Sequence, residues 1–333
     1  MEKRIRDRFN EDILAKARSR YGIKESLCKP LGGFESFIYE FECDGSKYIL
    51  RIAHSIRRNG NLISAEVDWI NFLADGGTSV ASAILSNRGN LVESIDDGAG
   101  GLFLATAFVK INGEPLHKVE WTDQINETYG KLLGKMHALS MSYEPSNPVW
   151  RRPDWDDPIM LDVEAHLPDS DEKVRIVYQS LLAYLNTLPR DKDDYGLIHQ
   201  DAHAGNIFID KTEKITIFDF DDSAYSWFIN DIAIVLFYAV LGKEDIKEFT
   251  VEFMKHFLQG YQQENQFNPV WLKEIPHFLK LREVDLYAVI HRSFDVNNLT
   301  DPWCAMYMDG RKEKIENNVP FIDFNFENLK SFL

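Results

Sequence analysis

Cysteine is scarce in this chain of 333 residues: only Cys28, Cys43 and Cys304 occur. They match no metal-ligand spacing and leave an odd thiol if any pair forms, which argues against a disulfide framework and for a reducing compartment. Long apolar runs are missing as well. No stretch reaches about eighteen apolar residues, and no signal-peptide core follows the charged start Met1-Glu2-Lys3-Arg4, so a cytoplasmic protein with no membrane partner is expected. Basic residues fall short of acidic ones, 37 Lys and Arg against 53 Asp and Glu, for a net charge of −16. That deficit argues against nucleic acid as the main partner, because phosphate backbones are held by basic surfaces. It tilts a small-molecule partner towards the neutral or cationic, since a negative cleft repels anions at long range. Internal repeats, low-complexity tracts and long linkers are absent too.

What is present is a chain able to bury a sizeable core. With 44% hydrophobic and 13% aromatic residues at this length, division into two lobes is expected. The densest chemistry lies between residues 198 and 222. Ile198-His199-Gln200-Asp201 is followed five positions after the aspartate by Asn206, and thirteen positions later by Asp219 within Ile217-Phe218-Asp219-Phe220-Asp221-Asp222. One carboxylate, Asp201, is placed to serve as a base. The amide oxygen of Asn206 and the carboxylate of Asp219 form a pair able to hold Mg²⁺, which takes one or two protein oxygens and completes its shell with phosphates and water. The same three roles recur in phosphoryl transfer.

Tyr195 to His199 reads as a strand running into a loop, Asn206 to Ile209 as a second strand and Lys214 to Phe218 as a third. The polar turn Asp210-Lys211-Thr212-Glu213 joins the last two into a hairpin that starts at Asn206 and delivers Asp219 at its end. Asp221 and Asp222 read either as extra metal or substrate ligands or as a solvated acidic turn. His199 and His203 read as hydrogen-bonding supports of the loop.

His199-x-Asp201-x-His203-x-Gly205-Asn206, followed by Ile217-Phe218-Asp219-Phe220-Asp221, resembles the aminoglycoside phosphotransferase and choline kinase superfamily, with its homoserine-kinase-like and spore-coat-kinase-like bacterial branches. The resemblance implies an α+β, two-lobed, protein-kinase-like fold: a small antiparallel-sheet N-lobe with one main helix, residues 1–109, and a larger, mostly helical C-lobe, residues 110–333. It implies transfer of the γ-phosphoryl group of ATP or GTP to a hydroxyl of a small metabolite or aminoglycoside-like substrate, with Mg²⁺ as cofactor, by a monomer or homodimer.

A second constellation lies upstream. Gly32 and Gly33 interrupt a strand pattern, and residues 37–42 and 47–52 read as paired strands around Asp44-Gly45-Ser46. A glycine turn between strands lets backbone N–H groups approach a polyphosphate. The resemblance assigns Arg51, where the family has lysine, to the nucleotide phosphates, and Glu66 of the following helix to Arg51. Arginine keeps the charge but presents a planar fork of donors, a different geometry from lysine. Glu66 shares a helical face with Leu62, Ile70 and Leu73, so it borders the buried side.

Residues 101–109 read as the last small-lobe strand and 110–115 as the connection, and the resemblance places Ala107 to Val109 beside the adenine. Residues 121–140 and 171–188 read as helical, and 228–237 as a helix buried all round. Asp231 reads there as an N-cap, the resemblance makes it the brace of the catalytic loop, and the two readings are compatible. Tyr225, Trp227, Trp303 and Tyr307, with Asp301, are candidates for an acceptor pocket that holds a cation on aromatic faces, and Arg151 to Pro158 either lines that pocket or forms a surface connection. Two other functions fit part of the pattern: a protein serine/threonine kinase, and a non-catalytic nucleotide-binding module. Against the first, Asp219-Phe220-Asp221 replaces Asp-Phe-Gly and no Ala-Pro-Glu follows.

Overall fold

The computed structural model describes residues 2–333, and Met1 lies outside the described residues. Asp44 and Gly45 both take positive φ, 49° and 76°, as a two-residue turn matched to strand twist requires. They join Phe37–Cys43 to Ser46–His54 in a hairpin with Cys43 opposite Ser46 and Phe37 opposite Ile52. Cys28–Gly32 extends this sheet on one side and Leu102–Val109 on the other. The short strands Ala83–Ile84 and Glu93–Asp96 share the far edge of Leu102–Val109, and every pairing is antiparallel.

Strand alternation sends Leu50, Ile52, Ala105 and Ala107 to one face of this sheet. There the helix Glu11–Arg20, capped by Asn10 on the Ile13 N–H at 3.1 Å, covers them with Ile13, Leu14 and Ala17. The expectation of one main helix omits this second one, whose three buried positions are outnumbered by charged neighbours. On the other face lies the main helix, Gly60–Asp75, started by Asn59 accepting the Leu62 N–H at 3.0 Å. Its Ile63, Val67, Trp69, Ile70 and Leu73 join a core that continues into the large lobe, where Trp69 meets Phe220 edge to face at 5.3 Å. Burying each such side chain contributes roughly 1.5–3 kcal/mol, so this helix is anchored to both lobes.

The large lobe is built from Asp123–Ser140, Glu172–Leu185, Phe228–Ala239, Ile246–Tyr261 and Ile275–Ser293. Asp123–Ser140 and Ile246–Tyr261 approach backbone to backbone. A Cβ on Gly130 would fall 1.8 Å from the Phe257 carbonyl oxygen, and one on Gly260 would fall 1.9 Å from that of Glu127. Beside Gly130, the Tyr129 hydroxyl donates to the carbonyl of Ala202, so this helix pair forms the seat of the catalytic loop. Ile207–Ile209 pairs with Ile215–Ile217 as the expected hairpin, whereas Tyr195–Ile198 pairs with Ala224–Trp227. Among the described residues no helix is long and apolar enough to cross a membrane.

Candidate active site

Two non-glycine residues of the cleft hold left-handed backbone, Gln200 at φ 63° and Asp219 at φ 66°. Such conformations cost about 1–3 kcal/mol each and persist only where the surroundings fix them. At Gln200 the fixing group is Asp231. Its carboxylate accepts the backbone N–H of His199 at 2.9 Å and of Gln200 at 2.7 Å, and the Nε2–H of His137 at 3.2 Å. Asp231 is the acidic residue of its helix's first turn, but Trp227 holds the cap position, without a side-chain bond. Of the two readings for Asp231 the brace is the one realised.

The loop so held presents Asp201. The Asn206 amide nitrogen donates to the Asp201 carboxylate and carbonyl, both at 3.0 Å, leaving its own Oδ1 for another partner. His203 accepts the Gly205 N–H on Nδ1, so its proton sits on Nε2, 3.4 Å from the Asp201 carboxylate. His199 accepts the Asp201 N–H on Nδ1 at 3.2 Å and donates from Nε2 to the Phe218 carbonyl at 3.0 Å, tying the catalytic loop to the segment that carries Asp219. Burial pushes its pKa down, which keeps the ring neutral in that role. Both histidines are therefore supports, as expected. Burial alone would raise the Asp201 pKa, but the charge of Arg282 and the contact with His203 outweigh it and hold the carboxyl well below the usual range.

Among the described residues Asp219 forms no ion pair with a basic side chain. It is enclosed by the cleft walls yet open to solvent on its outer face; that enclosure and the Asp221 charge, against the pull of Arg51, push its carboxyl up to about 7. The Phe218 N–H donates to the Asn206 carbonyl at 3.0 Å, which sets the segment of Asp219 against the residue with the free amide oxygen, and an unneutralised carboxylate with such an oxygen suits a divalent cation. Among the described residues no three His, Cys, Asp or Glu side chains form a metal cage, and a site of two protein oxygens is the kind that Mg²⁺ completes with phosphates and water.

Asp219, Arg51 and Ile38 stand on the wall between two adjoining cavities of about 370 and 300 Å³. The smaller is an apolar slot formed by Leu31, Ile49, Ile70, Phe108 and Phe218, with Val109 and Lys110 at its end. Ala107 is not part of it: strand alternation turns its side chain to the opposite core, and Phe108 takes the cleft side. Arg51 lies at the back of the slot, its two Nη atoms each 2.7 Å from a Glu66 oxygen and its guanidinium 5.0 Å from the Phe108 ring centre. Burial disfavours the charge there, yet Glu66 reverses the effect and keeps the guanidinium protonated. Gly32 and Gly33 take φ 87° and 152°. Gly33 lines the larger cavity, and a Cβ on it would strike the Ser36 carbonyl oxygen at 2.0 Å, so only glycine permits this turn.

The larger cavity departs most from expectation. Its aromatic lining is Phe34, Trp155, Tyr178 and Tyr238, not Tyr225, Trp227, Trp303 and Tyr307. Trp227 is fully buried with its indole N–H on the Pro189 carbonyl at 2.7 Å, Tyr225 lies under Arg151, and Trp303 stacks on the buried Tyr307 at 5.8 Å. Asp301 caps the short helix Pro302–Met308. The 151–158 segment does line the pocket, through Trp155. Its Arg152 is a buried tie, donating to the Leu62 carbonyl at 3.0 Å, the Ser223 carbonyl at 2.7 Å and the Asp221 carbonyl at 2.6 Å, with burial lowering its pKa to about 10.

Asp221 and Asp222 line the larger cavity together with Asp219, and both pair with Arg57 and Arg58. The helix Ile275–Ser293 adds Arg282, Asp285 and Arg292 to the cavity, none of which stands out in the sequence. Their signal is spacing: 282, 285, 289 and 292 fall on one helical face. Asp285 forms no hydrogen bond or ion pair among the described residues. Burial and the Asp222 charge, against Arg282, raise its pKa to about 7.

Known proteins share this arrangement. The family model of the phosphotransferase enzyme family matches residues 27–275. The chain is 39% identical to amicoumacin kinase of Bacillus subtilis (strain 168), over 99% of each chain. A solved amicoumacin kinase in complex with AMP-PNP, Ca²⁺ and Ami superposes with a TM-score of 0.93 at 37% identity, covering 99% of this chain and 100% of its own. A microcompartment-associated aminopropanol kinase, 20% identical with a TM-score of 0.73 over 93% of this chain and 98% of its own, shares the fold. With its catalytic-loop pattern, its two lobes and matches of this extent, the chain belongs to the phosphotransferase enzyme family, within the aminoglycoside phosphotransferase and choline kinase superfamily.

Proposed function

We propose that the hydroxyl phosphorylated by this ATP-dependent small-molecule kinase belongs to amicoumacin or a close chemical relative of it. Identity of 39% over 99% of both chains to an amicoumacin kinase supports that acceptor. The observation that carries the reading is the shared wall of the two cavities: Asp219 stands between an apolar slot sized for a base and a polar pocket that holds Asp201.

In this reading Asp201 accepts the hydrogen bond, and then the proton, of the acceptor hydroxyl. The acceptor oxygen bonds to the γ-phosphorus as the bond to the bridging oxygen breaks, and ADP leaves. A loosely bonded transition state asks little of a base until late, so a low pKa at Asp201 suits an orienting acceptor. Asn206 and Asp219 would hold Mg²⁺, which supplies neutralisation of phosphate charge. Arg51, oriented by Glu66, faces the phosphates, Gly32 and Gly33 form the turn above them, and the strand end at Val109 borders the base. The unpaired Asp285, beside Trp155 and Tyr178, suits a cationic or hydrogen-bond-donating group on the acceptor. The lobes part at the 109/110 junction. The three cysteines are unpaired, in keeping with a cytoplasmic location, where ATP is supplied.

The test is incubation of the purified protein and its Asp201→Asn variant with Mg-ATP and amicoumacin, with mass spectrometry of the product. Phosphorylated amicoumacin formed by the wild type and about 10²–10⁴-fold more slowly by the variant is the expected result. ATP turnover on other hydroxylated amines but not on amicoumacin overturns the acceptor assignment.

A further inference from the structure

Three arginines pair with Glu35, Asp221 or Asp222, and they differ in what binds them. Arg58 is fixed, donating to the Ile159 carbonyl at 3.0 Å and to Asp222 at 3.1 Å. Arg292 reaches Glu35, in the glycine turn, at 2.5 Å on the cavity rim. Arg57, in the turn between the strand Ser46–His54 and the helix Gly60–Asp75, pairs with both Glu35 and Asp221 and lies 3.7 Å from Asp222. Its Nε–H is buried without a partner among the described residues. It lines the same cavity as Gly33, Asp201 and Asp219, and the Asp219 charge acts on it.

Each guanidinium can be asked what it would leave behind on turning to an incoming anion. Removing one member of a buried ion pair costs about 3–5 kcal/mol, because the other charge is stranded. Arg51 meets that cost in full: Glu66 is completely buried and pairs with no other cation among the described residues. Arg57 avoids it at every contact. Glu35 keeps Arg292 at 2.5 Å, Asp221 keeps Arg58 at 3.6 Å, and Asp222 keeps Arg58 at 3.1 Å. A guanidinium held by several carboxylates, each with a second arginine in place, is positioned yet free to exchange.

Resting on the kinase reading above, we propose that Arg57 is a catalytic residue that exchanges Glu35 and Asp221 for the γ-phosphoryl oxygens of bound ATP. It adds a second guanidinium where charge spreads over the equatorial oxygens during transfer, while Arg51 stays committed to Glu66. The planar fork of donors suits two of those oxygens at once.

The test compares nucleotides that differ in the third phosphate. Mg-AMP-PNP and Mg-ADP affinities are measured by calorimetry for the wild type, Arg57→Gln and Arg57→Lys, without acceptor, with thermal melts as a check on folding. Arg57→Gln is expected to lose about tenfold or more in AMP-PNP affinity while ADP binding holds, and Arg57→Lys to recover part of the loss. Equal losses for both nucleotides, or none, overturn the proposal and leave Arg57 as a tether. Should Arg57→Gln not fold, Glu35→Gln decides. Releasing one anchor is expected to hold or raise the preference for AMP-PNP over ADP, and a fall in that preference overturns the proposal. Wild-type protein that binds neither nucleotide refutes the kinase reading itself, a different outcome from either.

Discussion

The guanidinium of Arg282 is ion-paired with the carboxylate of Asp201, brought there from a helix 81 positions further along the chain. The same nitrogen donates to the Tyr238 hydroxyl at 2.7 Å, which fixes the side chain from a second direction. Because burial pushes the Asp201 pKa up and Arg282 is the largest influence pulling it down, removing the guanidinium raises that pKa. Arg282→Gln is expected to move the acidic limb of the kcat profile to higher pH and to lower the plateau roughly tenfold or more. A pH–rate series at saturating substrates checks this, and an unmoved acidic limb would refute it.

Asp219 sets a second pH dependence with its own sign. Its carboxyl is raised to about 7 by enclosure and by Asp221, and only the ionised form takes a cation. Affinity for Mg-AMP-PNP should therefore climb as pH rises through about 7. Asp219→Asn should bind weakly at every pH and lose the climb, as titration calorimetry at several pH values will show.

Glu66 has one partner, and Arg51 depends on it. Glu66→Gln strands a guanidinium that is 8% exposed, at a cost of about 3–5 kcal/mol that a denaturant titration measures. Arg51→Lys keeps the charge but loses one of the two 2.7 Å contacts, so it should cost less stability yet raise the KM for ATP.

Asp285 lines the cavity with no hydrogen bond or ion pair among the described residues. Asp285→Asn should raise the KM for the acceptor about tenfold while the KM for ATP holds. Steady-state kinetics with each substrate varied separate the two, and equal shifts would mark Asp285 as structural.

How much of this was written in the sequence follows from how far apart the contributing residues lie. Asp201, Asn206 and Asp219 sit in one stretch whose strand and turn signals can be read locally, and the Arg51–Glu66 pair was named by the family resemblance, with helical periodicity adding that Glu66 borders the buried side. The brace at Asp231 was legible only through the family resemblance, since an aspartate near a helix start reads locally as an N-cap. Trp227 was misplaced because its neighbourhood in sequence says nothing about which side of the strand Ala224–Trp227 packs inward. Trp155, Tyr238 and the pair Arg282 and Asp285 come from three separate segments, and only the packing of Ile275–Ser293 against the loop brings them together. The second N-lobe helix escaped notice because three apolar positions among charged ones make a faint stripe.

The contact of Gly130 and Gly260 with facing carbonyls divides the large lobe by how freely it can change. On that side main chain rests on main chain, so even a methyl group pries apart the two helices and tilts Tyr129 away from Ala202. The opposite wall, carried by Ile275–Ser293, meets the cavity through side chains alone. Redirecting the enzyme to a new acceptor thus has a natural starting place in positions 285 and 289, half-buried side chains on the cavity wall away from the platform beneath Asp201.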